Sequence, residues 1–352
     1  MGFFAENIMK ISWKSPSNLA IVKYWGKHGR QLPRNASISF TLDRACTEMH
    51  LSYQRKEDDG KISLDFLFED KEKEAFAKKI KRFLGNVLDE FPFLSQYHLS
   101  ISSRNSFPHS AGIASSASSM SALALCLCTM ERHLINRSPN EAHFYRRASY
   151  IARLGSGSAS RSVYPYLVVW GETNHVEGSS NTYAVPYHGK VDEVFKTFHD
   201  TILIISQAEK SVSSTVGHKL MKNHPFAAAR YEQADKNMKK VVRALETGDL
   251  VLFGEVLEEE ALMLHALMMT AHPPYILMEG HSIEAIKRVQ AWRTKTKWPL
   301  YFSLDAGPNL HLLYPDRICH EVQAFIKSNL LDLCEGGQYL EDKVGRGATQ
   351  LM

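Results

Sequence analysis

One ten-residue stretch constrains the fold more than any other: Pro108-His109-Ser110-Ala111-Gly112-Ile113-Ala114-Ser115-Ser116-Ala117. It follows a β-patterned run, Tyr97–Ser103, and leads into an apolar segment, roughly Ser116–His133, with helical character. Small side chains let backbone N–H groups approach an anion closely, and a helix N-terminus adds partial positive charge, so phosphate binding is physically natural here. The Ser115 and Ser116 hydroxyls are suited to a phosphate oxygen or to Mg²⁺. The GxxxxGK pattern of a Walker A loop is absent. A tight strand–helix turn packed with small residues, and holding no ligand, would have the same composition.

A chain of 352 residues with 44% apolar and 23% charged side chains buries a substantial core without disulfides, and its length suggests about two domains. The most apolar short run, Ala122 to Cys128, is far below the roughly 20 residues of a membrane span. The N-terminus has no apolar stretch followed by a small-residue cleavage site, so a signal peptide is not expected. A net charge of +4 argues against a general nucleic-acid binder and leaves room for a local cationic pocket for a small anion. Cys46, Cys126, Cys128, Cys319 and Cys334 show no metal-ligand spacing. Reduced thiols in the cytoplasm fit best.

Strands and helices interleave without a regular βαβ alternation, which points to an α+β fold. Alternation in Cys46–Arg55 and Lys61–Glu69, with Asp58-Asp59-Gly60 between, predicts a hairpin. Phe76, Ile80, Phe83, Leu84, Val87 and Leu88 predict a helix whose lysines form its solvated face. Ser138-Pro139-Asn140-Glu141 reads as a capping box opening a helix to about Arg153. Tyr164–Trp170 is apolar and β-rich, and Thr201–Ser206 reads as a buried strand. Helices are expected at about 225–247, at 249–270, through Ile283–Trp292 and near Arg317–Leu330, with strands at Leu300–Leu304 and Leu310–Tyr314. The character changes near residue 190, which divides the chain into 1–190 and 191–352.

The phosphate-loop candidate resembles that of the galactokinase–homoserine kinase–mevalonate kinase–phosphomevalonate kinase superfamily. Three further segments resemble the mevalonate diphosphate decarboxylase family: Ser17-Asn18-Leu19-Ala20-Ile21-Val22-Lys23-Tyr24-Trp25-Gly26-Lys27, Gly155-Ser156-Gly157-Ser158-Ala159-Ser160-Arg161-Ser162, and Asp305-Ala306-Gly307-Pro308-Asn309. Weaker echoes are Val212–Thr215, His265-Ala266 with His272–Tyr275, and Val344–Gly347. Collinear order from about residue 12 to 348 makes the set far more specific than any one motif. The resemblance implies a two-domain small-molecule kinase fold, with an N-terminal domain like one found in ribosomal proteins and a ferredoxin-like C-terminal domain. It implies ATP- and Mg²⁺-dependent phosphorylation of the 3-hydroxyl of mevalonate 5-diphosphate, then loss of phosphate and CO₂ to give isopentenyl diphosphate. A homodimer is common in that family.

On this resemblance Pro108, Ser110, Gly112, Ala114, Ser115 and Ser116 hold the nucleotide, with Ser115 and Ser116 toward Mg²⁺. Lys23, Tyr24 and Lys27 form a clamp for a terminal diphosphate, although a bare lysine pair is more often surface solvation. Lys23 also counts with Asp305, Arg161 and Asn18 among the catalytic residues, and its presence with Asp305 and Arg161 favours decarboxylation over a kinase alone. Arg161 holds a carboxylate bidentately, with Ser156 and Ser158 donating hydrogen bonds nearby; without the motif it would read as an exposed arginine on a flexible loop. Asp305 orients or deprotonates the substrate hydroxyl; an aspartate before Gly-Pro is otherwise a common turn former. Asn18 supports the centre through its amide, and Ser213 reaches substrate or caps a turn. His265 reads as a structural histidine, and Met263, Met268 and Met269 as core filler.

The chain also departs from the family pattern. His109-Ser110-Ala111-Gly112-Ile113 stands where Thr-Ala-Ala-Gly-Leu is usual, and Arg34-Asn35-Ala36-Ser37 where Ile-Asn-Ser-Ser is. A family arginine expected near 70–80 has no counterpart there, and a lysine is the available substitute. The competing readings are a decarboxylase of the 5-monophosphate and a 3-kinase that does not decarboxylate. An RNA-binding module is disfavoured by the charge balance and the lack of a basic-aromatic stripe.

Overall fold

A computed structural model describes residues 9–108, 115–135, 140–208 and 210–352. Its first half is organised by two long antiparallel strands, Met9–Val22 and Ser37–Arg55. Each serves two cores. Ile11 and Trp13 pack with Met49, Leu51 and Tyr53 in one, while Leu19, Ile21 and Val22 pack with Ile38 and Phe40 in another. The register shifts between Pro16 and Asn18, where proline cannot donate to the ladder. This break lets one strand turn its apolar side from the first core to the second.

The sheet continues through Tyr97–Asn105 to Ser63–Phe68, the latter pair being parallel. The hairpin expected from 46–55 and 61–69 is therefore not formed. Both strands exist, but Tyr97–Asn105 lies between them. Period-two alternation marks a strand and its buried face; it does not name the neighbour. Helices Glu74–Asn86, Ser115–Ile135 and Glu141–Gly155 carry the residues that cover the first core. The third is capped by Asn140, whose side chain accepts from the His143 N–H, so the cap falls two residues after the expected Ser138, which lies outside the described residues.

A second, four-stranded antiparallel sheet runs Tyr301–Leu304, Leu310–Tyr314, His199–Leu203, Tyr339–Lys343. Helices Gly280–Thr296 and Cys319–Asn329 supply its covering residues, including Ala285, Val289, Val322 and Ile326. The helices Ala227–Thr247 and Leu250–Met269 contribute Met238, Val241, Phe253 and Leu257 to the core that holds Leu19 and Phe40 of the first sheet. Near the C-terminus, Thr349–Gln350 pairs with Met9–Val22. The two sheets are thus bound through shared helices and the closing strand. Among the described residues no helix is long and apolar enough to cross a membrane.

Candidate active site

Lys23 and Asp305 each follow directly on a strand end, Val22 in the first sheet and Leu304 in the second. They meet across the cleft between the sheets. Lys23 Nζ donates to Asp305 Oδ1 at 3.0 Å and to Ser303 Oγ at 2.9 Å. The lysine side chain is 2% exposed and the aspartate 24%. A buried ammonium requires a counter-ion, and Asp305 supplies it to Lys23, which also lines the cleft. Burial alone would raise the Asp305 carboxyl, but Lys23, with lesser contributions from His311 and Lys210, holds it below the usual carboxylate range.

Arg161 lies on the 3-10 turn Gly157–Val163 and is 2% exposed. Its Nε donates to Ser39 Oγ at 3.0 Å, its Nη1 to Ser37 Oγ at 2.7 Å and its Nη2 to Asn18 Oδ1 at 3.2 Å. All three acceptors are neutral, and among the described residues no carboxylate forms an ion pair with it. Asn18 is held in turn by bonds from its Nδ2 to Ser162 Oγ and the Ser158 carbonyl, so its amide aims the guanidinium. Burial pushes Arg161 down to about 10, against a raising influence from Asp305, and it stays cationic at neutral pH. A buried, aimed cation without an internal counter-ion is a receptor for an external carboxylate or phosphate.

The same cleft is lined by Ser116, Ser156, Ser158, Tyr24 and Lys27. Ser116 Oγ lies 3.3 Å from Ser156 Oγ, which brings the start of the helix Ser115–Ile135 against the serine-rich turn. Gly157 is required by close approach: a Cβ there would sit 2.7 Å from Trp170 and 2.9 Å from Tyr24. Tyr24 packs edge-on to Trp170 and against His218, and burial pushes its phenol up. Trp25 is a core anchor, 4% exposed. Gly26 has φ +93, and a Cβ would meet Tyr231 Oη at 2.3 Å. Lys27 Nζ donates to Gln31 at 2.6 Å at the cleft edge, where burial and the nearby Lys219 lower its affinity for a proton.

Pro108 is described, whereas Ser110, Gly112 and Ala114 lie outside the described residues. Ser213 caps the helix Ser214–Leu220 by accepting from the Val216 N–H; its neighbours Ser214 and Thr215 line the cleft, and Ser213 does not. Met268 is core, but Met269 is 38% exposed.

Two lysines at the site were not singled out from the sequence: Lys210 not at all, and Lys79 only as one of the lysines near 70–80 read as a solvated face or as a substitute for the family arginine. Lys210 lines the cleft and acts electrostatically on Asp305. Lys79, from the helix Glu74–Asn86, lines both the cleft and an adjoining apolar pocket built by Phe66, Phe68, Phe76, Ile80 and Met120. That pocket was detectable in principle as alternating phenylalanines on a strand followed by Phe76 and Ile80 at helical spacing.

Two α+β sheets, with the start of the helix Ser115–Ile135 on the same cleft as a buried cation and an Asp–Lys pair, are the architecture of a two-domain small-molecule kinase type of protein. The chain matches the diphosphomevalonate decarboxylase-like N-terminal domain over residues 15–184 and the mevalonate 5-diphosphate decarboxylase C-terminal domain over residues 201–347. It is 30% identical over 330 residues to a diphosphomevalonate decarboxylase of Gibberella zeae, covering 88% of this chain and 82% of that one. The mevalonate diphosphate decarboxylase of Staphylococcus aureus superposes with a TM-score of 0.82 at 26% identity, over 98% of each chain. The structure of MDDEF in complex with MVAPP, AMPPCP and magnesium also gives 0.82, at 26% identity, over 98% of this chain and 99% of that one. The chain belongs to the diphosphomevalonate decarboxylase family.

Proposed function

We propose that the protein catalyses the ATP-dependent decarboxylation of mevalonate 5-diphosphate to isopentenyl diphosphate, releasing ADP, phosphate and CO₂. The observation that carries this reading is Arg161: a buried guanidinium with only neutral protein partners, facing the cleft that also exposes the Asp305 carboxylate. A carboxylate held by Arg161 is oriented for departure, while Asp305 aligns the 3-hydroxyl. Lys23 keeps Asp305 ionised and fixes its direction. Ser156 and Ser158 offer hydroxyl donors to phosphate or carboxylate oxygens.

The residues present fit a bound nucleotide and its metal. The start of the helix Ser115–Ile135 lies beside both the cleft and the apolar pocket, which has the character to take a base, and Lys79 stands at their junction. Ser115 and Ser116 would hold Mg²⁺, which when bound would neutralise phosphate charge on the ATP that supplies the phosphoryl group. Lys27 and Lys79 are the cations placed for the substrate diphosphate, Lys79 standing where the family arginine is missing. Five free cysteines fit a cytoplasmic location, and a homodimer is the assembly we assign from family membership.

The test offers mevalonate, its 5-phosphate and its 5-diphosphate in parallel with ATP and Mg²⁺, following ADP and CO₂. Equal release of both from the diphosphate is expected. ADP without CO₂ from all three would overturn decarboxylation, and a preference for the monophosphate would overturn the substrate assignment.

A further inference from the structure

Lys23 and Asp305 are 282 residues apart, and each lies one position beyond a strand. Neither has a continuing sheet ladder to hold its peptide. The helix Leu250–Met269 reaches both. Glu260 Oε2 accepts the Lys23 backbone N–H at 2.8 Å. Arg230 Nη2 donates to the Lys23 carbonyl at 2.8 Å, and Asn35 donates to the same carbonyl at 2.9 Å. Arg230 and Glu260 are locked together by two bonds of 2.7 Å, with side chains 1% and 0% exposed, and Asn237 donates to Glu260 at 2.8 Å. On the same helix, His265 Nε2 lies 3.0 Å from the Asp305 carbonyl oxygen. A carbonyl only accepts, so Nε2 carries the hydrogen toward Asp305. Burial pushes its pKa down to about 4.

A buried ion pair contributes little net stability, because desolvation offsets attraction. This one is directed at a single peptide unit, where it substitutes for the ladder partners that Lys23 lacks. We propose that the helix Leu250–Met269 sets the separation of Lys23 and Asp305, through Glu260 paired with Arg230 at one end and His265 at the other. These three are positioning residues for the reaction. The inference rests on the reading of Lys23 and Asp305 as catalytic.

The test is a cycle on the full chain. Arg230→Met with Glu260→Leu removes both charges together, so the protein should fold with an unfolding midpoint near that of the wild type. Its kcat should fall about tenfold or more, while KM for substrate and for ATP stays within about twofold. In an Asp305→Asn background the same double substitution should cost less than about twofold, since the geometry it maintains is already without effect. His265→Leu, which leaves the ion pair intact, should show the same background dependence. Wild-type kcat in both folded variants, or an equal proportional loss in the two backgrounds, would overturn the proposal. Wild-type turnover in Asp305→Asn alone would overturn the catalytic reading on which it rests.

Discussion

Arg161 and Arg230 are both about 2% exposed, yet their surroundings are opposite. Arg230 is cancelled by a bidentate carboxylate, Glu260, and donates as well to the Lys23 carbonyl. Arg161 has only an amide and two serine hydroxyls, and it opens on the cleft. A buried cation needs compensation. Where it is internal the charge builds the frame; where it is missing the charge stays available to a ligand, as proposed for Arg161. That difference separates structural from functional arginine more sharply than burial does.

Breaking the frame should have the largest effect on stability. Arg230→Met alone strands Glu260 without its partner and should cost about 3–5 kcal/mol in a urea titration. Arg161→Met should change stability by no more than about 1 kcal/mol, since it removes a cation that forms no ion pair among the described residues. Similar losses at the two sites would break the comparison.

Turnover should show the reverse ranking. Asp305→Asn keeps size and hydrogen bonding but removes the charge, and should slow a single turnover roughly 10²-fold, about 2.7 kcal/mol. Arg161→Gln should also lower turnover and weaken substrate binding, because a charge-assisted pair is lost. Both should bind ATP almost normally in equilibrium titrations. Near-wild-type single-turnover rates in Asp305→Asn would remove it from the centre.

The pH response sharpens the role of Lys23. Burial raises the Asp305 carboxyl, but Lys23, His311 and Lys210 outweigh it. With its folded value lowered, Asp305 stays charged from the ordinary aspartate value of about 3.9 upward. Its contribution to stability is present above that value and is lost as pH falls through the lower folded one. The acid limb of kcat should therefore lie below about pH 4, and Lys23→Met should move it upward. His265 and His218, pushed by burial to about 4 and about 3, stay neutral above those values and should add no limb near neutrality. An unmoved limb in Lys23→Met would mean that another group sets the charge of Asp305.

The smallest effect is expected at the helix start, where Ser116→Ala removes one hydroxyl beside Ser156. ATP affinity should fall several-fold, about 1 kcal/mol, with folding unchanged. No change in either Ser115→Ala or Ser116→Ala would make this a packing turn.

Periodicity by itself located the helices and most strands. Apolar spacing along 225–247 and 249–270 can be satisfied only by burying one helical face. The family resemblance carried by the motifs around Asn18, Arg161 and Asp305 pointed to residues that line one cleft; taken alone, Arg161 reads as an exposed arginine on a loop and Asp305 as a turn former. Tertiary structure decided the rest. It placed Tyr97–Asn105 between two strands that the pattern would have joined, and it brought Lys23 into an ion pair with Asp305, 282 residues away. It also chose which buried arginine would have a carboxylate. Glu260 does stand out locally, a charge on the buried face with Val256, Leu257 and Leu264, but its partner Arg230 is 30 residues away on another helix. Local pattern reports which side of an element avoids water; which charges meet there depends on how distant elements cross, and that is fixed only when the whole core packs.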